Sequence, residues 1–159
     1  MRIRITLFVG LIAVMALGLS SIGTAASGFK VTGGGQTDVG DSGAGDTIAF
    51  VAMEKGEGVH GQVQYIDREG GTGKGQTVFH GTVTCLTAVD AGEQGAAYLA
   101  GTWRDGGTFE IYAEDNGEPN QGSDLIYVDQ GATPNCEDDD DDDEPTALGR
   151  GNVQVHSAE

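Results

Sequence analysis

The oxygen-rich stretch EDNGEPNQGSD, residues 114–124, holds the residue types that come closest to a binding site. Its possible ligands are Asp115, Asn116, Glu118 and Asp124. Calcium takes six to eight oxygen ligands, often from one loop that contains a glycine, but the spacing here is not that of an EF-hand. The stretch therefore predicts either a calcium site or a turn whose polar side chains bond the local backbone. No other cofactor is expected.

A run of eight acidic residues, 137–144, is the second chemical feature of the chain. Its centre consists of six aspartates, which are Asp138, Asp139, Asp140, Asp141, Asp142 and Asp143. Adjacent aspartates disfavour both strand and helix. A cation site of defined geometry needs ligands held on a rigid frame, which repeated aspartate does not supply. We expect a solvated loop that attracts cations weakly and diffusely.

Two cysteines, Cys85 and Cys136, allow only one intramolecular pairing. In an exported chain an even cysteine count favours a disulfide, and we predict a bridge between these two. Alternation along the strand places Cys85 on the same face as Phe79 and Val83. We therefore expect Cys85 to lie at the edge of the core.

The three histidines, His60, His80 and His156, do not form a pattern typical of catalysis or of metal binding. No two of them have the close spacing of a zinc-binding pair, and no serine stands in the sharp turn that a nucleophile needs. Alternation predicts that His60 and His80 point outward. The sequence favours a protein that is not an enzyme.

The amino-terminal residues 1–26 have the organisation of a signal peptide. Two arginines precede a short apolar run, and the small residues GTAAS follow it. We expect cleavage after Ala26, secretion, and a single β domain over residues 27–159 with no membrane attachment. Residues 131–150 lack a strand pattern and predict a long loop before the final strand.

The charge of the chain is strongly negative, at −17. Residues 27–159 retain six basic residues against 25 acidic ones, a formal charge of −19. Such a surface repels nucleic acid and anionic membranes. Any partner is therefore expected to be cationic, such as metal ions, basic surfaces or the counter-ions of brine, and an extracellular polymer is a further candidate. High salt would screen the self-repulsion.

Short runs of alternating polarity, separated by glycines, fill the rest of the chain. The pattern predicts an all-β fold, a single antiparallel barrel or sandwich of about eight strands, because each strand has one apolar face. The expected strands are 29–37, 46–54, 58–67, 76–89, 95–103, 107–115, 123–130 and 151–157. Pairing of the first strand with the last would remove two open edges, which favours the barrel.

Four stretches together resemble the post-COAP domain, type one, a secreted prokaryotic module without an assigned molecular function. They are VTGGGQ (31–36), HGTVTCLTAV (80–89), DNGEPNQGSD (115–124) and GNVQVH (151–156). The resemblance implies a compact secreted β domain and carries over no catalytic residue. Some members have cysteines at places that Cys85 and Cys136 match, but the acidic run departs from the family pattern.

These features favour a secreted, non-catalytic β module with a structural or attachment role, in surroundings that the charge suggests are saline. A calcium-binding secreted protein that uses the loop 114–124 is the alternative. The partner protein, if there is one, stays open.

Overall fold

The computed structural model describes residues 28–37, 45–68, 76–89, 95–117, 124–136 and 144–156. The predicted signal peptide lies outside the described residues, and no helix among these residues is long and apolar enough to cross a membrane. Eight β-strands account for most of the described chain. They are β1 Lys30–Thr37, β2 Thr47–Lys55, β3 Gly58–Asp67, β4 Thr77–Val89, β5 Ala96–Trp103, β6 Thr108–Glu114, β7 Leu125–Gln130 and β8 Thr146–His156.

The strands form one closed antiparallel barrel in which each strand pairs with its neighbours in sequence. Strand β1 pairs with β2 on one side and with β8 on the other, so that Val31 lies opposite both Ala52 and Val155. This closure leaves no strand at an outer edge of the sheet. The barrel, and the pairing of the first strand with the last, are both confirmed.

The final strand begins earlier than the sequence predicted. Strand β8 starts at Thr146, whereas the prediction placed its start at 151, so residues 146–150 are not part of the loop 131–150. Leu148 is fully buried and its amide donates to the Asp124 carbonyl at 2.9 Å. One apolar anchor among glycines and polar residues gives no alternation, which explains why the pattern failed to show this part of the strand.

The barrel interior is filled by aromatic rings packed against glycines. The ring centroids of Trp103 and Phe109 are 4.3 Å apart. Gly81 faces both rings, and a Cβ atom there would lie 2.8 Å from Trp103 Cε3. Small and large residues thus alternate across the interior, as the limited width of an eight-stranded barrel requires.

A bulge in β4 corrects the prediction for Cys85. The pairing of β4 with β5 shifts register between Val83 and Cys85, so that Cys85 lies opposite Ala100 and Leu86 lies opposite Leu99. An extra residue reverses the faces of every residue after it. Leu86 therefore points into the barrel and Cys85 points outward, not toward the edge of the core.

The other predicted faces agree with the structure. The inward residues Val63, Tyr65, Val83, Phe109, Ile111, Ala113 and Val153 are buried in the core. Val59, Phe79 and Val155 are partly buried and pack against it.

Candidate functional site

The loop between β6 and β7 brings together three of the four predicted calcium ligands. The carboxylate of Asp124 is 1% exposed, and it accepts hydrogen bonds from the amides of Asn116 at 2.9 Å and of Val153 at 2.7 Å. The carboxylate of Asp115 accepts from the amides of Gly117 at 2.9 Å and of Val155 at 3.1 Å. Both acids therefore fasten this loop to β8.

These bonds use one acceptor position on each carboxylate oxygen, and each oxygen can accept twice. Glu118 lies outside the described residues. Within the described part of the chain, no group of three or more His, Cys, Asp or Glu side chains could hold a metal ion. Calcium binding by the loop 114–124 stays a prediction.

The predicted disulfide between Cys85 and Cys136 is present, with the two Cα atoms 6.0 Å apart. It lies on the outer face of the barrel because of the bulge in β4. The segment 131–136 is also fixed by the Gly131 amide, which donates to the Thr108 carbonyl at 2.9 Å. The acidic residues 138–143 follow this anchored segment and lie outside the described residues.

The three histidines are separate and exposed, as predicted for His60 and His80. His60 lies opposite Met53, and His80 lies opposite Gln64. His156 lies opposite Lys30 in β1, with β1 and β2 between it and His60. The fold therefore does not bring the three imidazoles to one point.

A row of three tyrosines crosses the outer surface of β5, β6 and β7. Tyr98 lies opposite Tyr112, and Tyr112 lies opposite Tyr127. The ring centroids of Tyr98 and Tyr112 are 5.2 Å apart, with the rings tilted by 54°. All three side chains are half-buried. The three tyrosines therefore stand in one row across three strands, and the first two rings are in contact.

Acidic side chains flank this row on both sides. Glu110 and Glu114 lie two residues before and after Tyr112 on the same face of β6, and Asp129 lies two residues after Tyr127. The Tyr112 hydroxyl donates to Glu114 Oε2 at 2.7 Å. Strands β5, β6 and β7 contain no basic residue. We call these six residues the tyrosine face: Tyr98, Glu110, Tyr112, Glu114, Tyr127 and Asp129.

Sequence reasoning missed the tyrosine face. Each tyrosine stands at an outward position of an alternating strand, which the sequence shows. Their alignment into one row depends on the register between strands, which no single strand determines.

A cavity of about 270 Å³ opens at the barrel end where β8 begins beside β7. Three apolar residues line it, which are Ile48, Ile126 and Val128. The polar lining residues are Thr37, Asp46, Tyr65, Tyr127 and Thr146. Ile48 and Ile126 are each 2% exposed, so the apolar wall belongs to the barrel core. We call this space the mouth cavity.

Asp46 is held in place at the mouth cavity by two donors. The Tyr65 hydroxyl donates to Asp46 Oδ2 at 2.5 Å, and the Arg68 amide donates to Asp46 Oδ1 at 2.8 Å. Burial, and then the hydrogen bond to Asp46, raise the pKa of Tyr65 well above its usual range. The hydroxyl proton therefore stays on Tyr65 and remains committed to Asp46.

Comparison of the chain with protein-family models, with curated proteins and with solved structures finds no match. The resemblance to the post-COAP domain stays a prediction.

Proposed function

We propose that the protein is a secreted, non-catalytic β module that attaches to a basic extracellular polymer through its tyrosine face. The observation that carries the proposal is the register of Tyr98, Tyr112 and Tyr127, which places three aromatic side chains in one outward row. Aromatic rings attract cations over their faces, and nearby carboxylates strengthen that attraction.

The charge of the rest of the chain supports a cationic partner. The tyrosine face carries three acids and no base, and residues 27–159 have a formal charge of −19. Complementary charge speeds the encounter with a basic surface and disfavours acidic ones. The Cys85–Cys136 bridge is compatible with an oxidising extracellular compartment, and the predicted signal peptide supplies a route to it.

Retention on insoluble polymers tests the proposal. The exported protein would be incubated with beads of chitosan, which is polycationic, of cellulose, which is neutral, and of alginate, which is anionic. We expect retention on chitosan alone, and a decrease with rising salt because screening weakens exposed charge pairs.

A triple variant, Tyr98→Ser with Tyr112→Ser and Tyr127→Ser, is expected to lose retention. The matched control is Val51→Ser with Val78→Ser, which removes exposed apolar side chains from other strands. Thermal melting establishes that both variants are folded. Unchanged retention of a folded triple variant would overturn the assignment of the tyrosine face, and absence of retention on chitosan would overturn the proposal of a basic partner.

N-terminal sequencing of the exported protein tests secretion separately, and the sequence is expected to begin at or near Ser27.

A further inference from the structure

The seam between β7 and β8 is the weakest join in the barrel. Only two residue pairs connect these strands, Leu125 with Ala147 and Ile126 with Thr146. The other adjacent strands share six to nine pairs each. Beyond Ile126, strand β7 continues beside β6, whereas β8 has no residue to pair with it because β8 begins at Thr146, opposite Ile126. The mouth cavity lies at this place.

The mouth cavity is large enough for a small organic molecule. Its volume of about 270 Å³ exceeds the roughly 150 Å³ of an engineered apolar cavity that holds benzene. The mouths of β-barrels are common places for ligand sites, which combine an apolar wall with a few fixed polar groups. The mouth cavity has both, because Ile48 and Ile126 face the same space as Asp46 and Tyr65.

The polar groups of the cavity determine which ligand would fit. The carboxylate of Asp46 is fixed by Tyr65 and by the backbone of Arg68, and each of its oxygens can accept one more hydrogen bond. The Tyr65 hydroxyl donates its one hydrogen bond to Asp46, so toward a ligand it can only accept. The guanidinium of Arg68 donates to the Gly45 carbonyl at 3.1 Å. The other polar lining residues carry no charge, and they are Thr37, Tyr127 and Thr146. The carboxylate of Asp46 is therefore the one charged group among the described lining residues, and it favours a cationic donor.

We propose that the mouth cavity binds a small primary organic ammonium ion with a compact apolar body. The ammonium group donates to Asp46 and Tyr65, and the apolar body lies against Ile48, Ile126 and Val128. A charged donor to a carboxylate gives a stronger bond than a neutral one. Tyr127 belongs to both places, but the ammonium site depends on Asp46, whereas the attachment depends on the whole row of tyrosines.

Benzylamine is the probe, because it joins one ring to one ammonium group. Calorimetric titration of the exported, disulfide-bonded protein is expected to give one saturable site with a Kd on the order of millimolar, as the small size of the ligand implies. Benzyl alcohol is expected to bind at least about tenfold more weakly, because it lacks the charge. Benzoate is expected not to bind.

Two variants and one control locate the site. Asp46→Asn is expected to weaken benzylamine binding at least about tenfold, by removal of the charge-assisted bond. Val128→Trp is expected to abolish binding because the larger side chain fills the cavity. The control, Glu57→Gln, removes one charge from the exposed turn between β2 and β3 and is expected to leave the affinity unchanged.

Equal affinity for benzylamine and benzyl alcohol would overturn the requirement for a cation. Unchanged benzylamine affinity in a folded Val128→Trp variant would show that the ligand does not bind in the mouth cavity. An equal loss of affinity in Asp46→Asn and Glu57→Gln would show the same. Should Asp46→Asn fail to fold, the comparison of ligands and the Val128→Trp variant still decide the proposal. Absence of any benzylamine heat at concentrations tenfold above millimolar would overturn it outright.

Discussion

At the scale of single residues, one buried carboxylate has backbone amides as its hydrogen-bond partners. The carboxylate belongs to Asp124, which is the one buried polar or charged residue among the described residues. Its carboxylate joins Asn116 at the start of the loop after β6 to Val153 in β8. The oxygen-rich loop that suggested calcium therefore has a structural role that the sequence also allowed.

Replacement of Asp124 by Ala is expected to lower the free energy of unfolding by about 2–4 kcal/mol. Hydrogen bonds to a charged group are each worth about 1.5–3 kcal/mol, and the substitution leaves two amides without this acceptor. Urea denaturation measures the change, with Glu57→Ala in an exposed turn as the control.

A loss for Asp124→Ala no larger than that of Glu57→Ala would contradict the structural role of the carboxylate. Thermal melting and calorimetric titration with millimolar calcium test the alternative function, calcium binding by the loop 114–124. A rise in Tm that Asp115→Asn abolishes would support calcium binding, whereas no heat and no shift would remove it.

The raised pKa of Tyr65 in the native state predicts that the protein loses stability at alkaline pH. This pKa lies above the value of about 10 that Tyr65 has in the unfolded chain. Above pH 10 the unfolded chain loses this proton and the native state keeps it, so stability decreases as pH rises. Between about pH 9.5 and 11, Tyr65→Phe is expected to show a smaller decrease in unfolding free energy than the wild type. If the unfolding free energy decreased equally steeply with pH in both proteins, Tyr65 would not be the group responsible.

At the scale of elements, small local features decide which way the strands present their side chains. Because of the bulge between Val83 and Cys85, the Cys85 side chain points outward and the Leu86 side chain points into the core. The glycine at position 81 leaves room for Trp103 and Phe109 to meet inside the barrel. The disulfide and the aromatic core therefore both depend on β4.

Gly81→Ala is expected to destabilise the barrel by about 1–3 kcal/mol. Its new Cβ atom would lie 2.5 Å from Phe109 Cε1 and 2.8 Å from Trp103 Cε3, so the packed rings would have to move. The matched control is Gly58→Ala at the start of β3, where nothing lies within 4 Å of an added Cβ. Denaturant titration measures the free energy of unfolding of both variants. An equal change in the two would show that the aromatic core tolerates the extra atom.

Removal of the disulfide is expected to lower the free energy of unfolding by up to about 4 kcal/mol. The bridge joins residues separated by 51 positions, and closure of a loop of that length restricts the unfolded chain. A compact unfolded state would reduce the figure. Urea denaturation of Cys85→Ser with Cys136→Ser measures the loss. Two reactive thiols in the unfolded, unreduced wild type would show that the bridge does not form.

At the scale of the whole molecule, a closed barrel carries a large negative charge. Closure removes exposed strand edges, and the excess of acids keeps molecules apart in solution. The bridge attaches the segment before the acidic run to the outer face of β4, whereas β8 resumes on the far side of the run. The barrel therefore holds both ends of the run in place.

Replacement of residues 138–143 by Asn is expected to leave the fold intact, because the sequence predicts that none of the six aspartates is buried. Solubility at high salt and weak cation binding are expected to decrease with the lost charge. Thermal melting at moderate salt, beside solubility in concentrated NaCl, measures both effects. A large decrease in Tm would show that the run has a structural role.

The sequence by itself determined the features that repeat within a strand or follow from a count. Period-two alternation showed the all-β class, the approximate strands and the inward residues such as Val63 and Ile111. Two cysteines in a chain predicted to be exported left one possible bridge, and the benefit of closure favoured pairing of β1 with β8. Each of these inferences needs only local chemistry or a simple tally of residue types.

Only the tertiary structure decided the features that depend on register between strands. The outward position of Cys85 follows from one extra residue in β4, and the row that includes Tyr112 follows from the alignment of three strands. The mouth cavity lies where β8 begins, because β7 extends past Ile126 without a partner in β8. Alternation specifies the face of a residue within its strand, but the partner across the sheet is set by turns, bulges and packing far away in sequence.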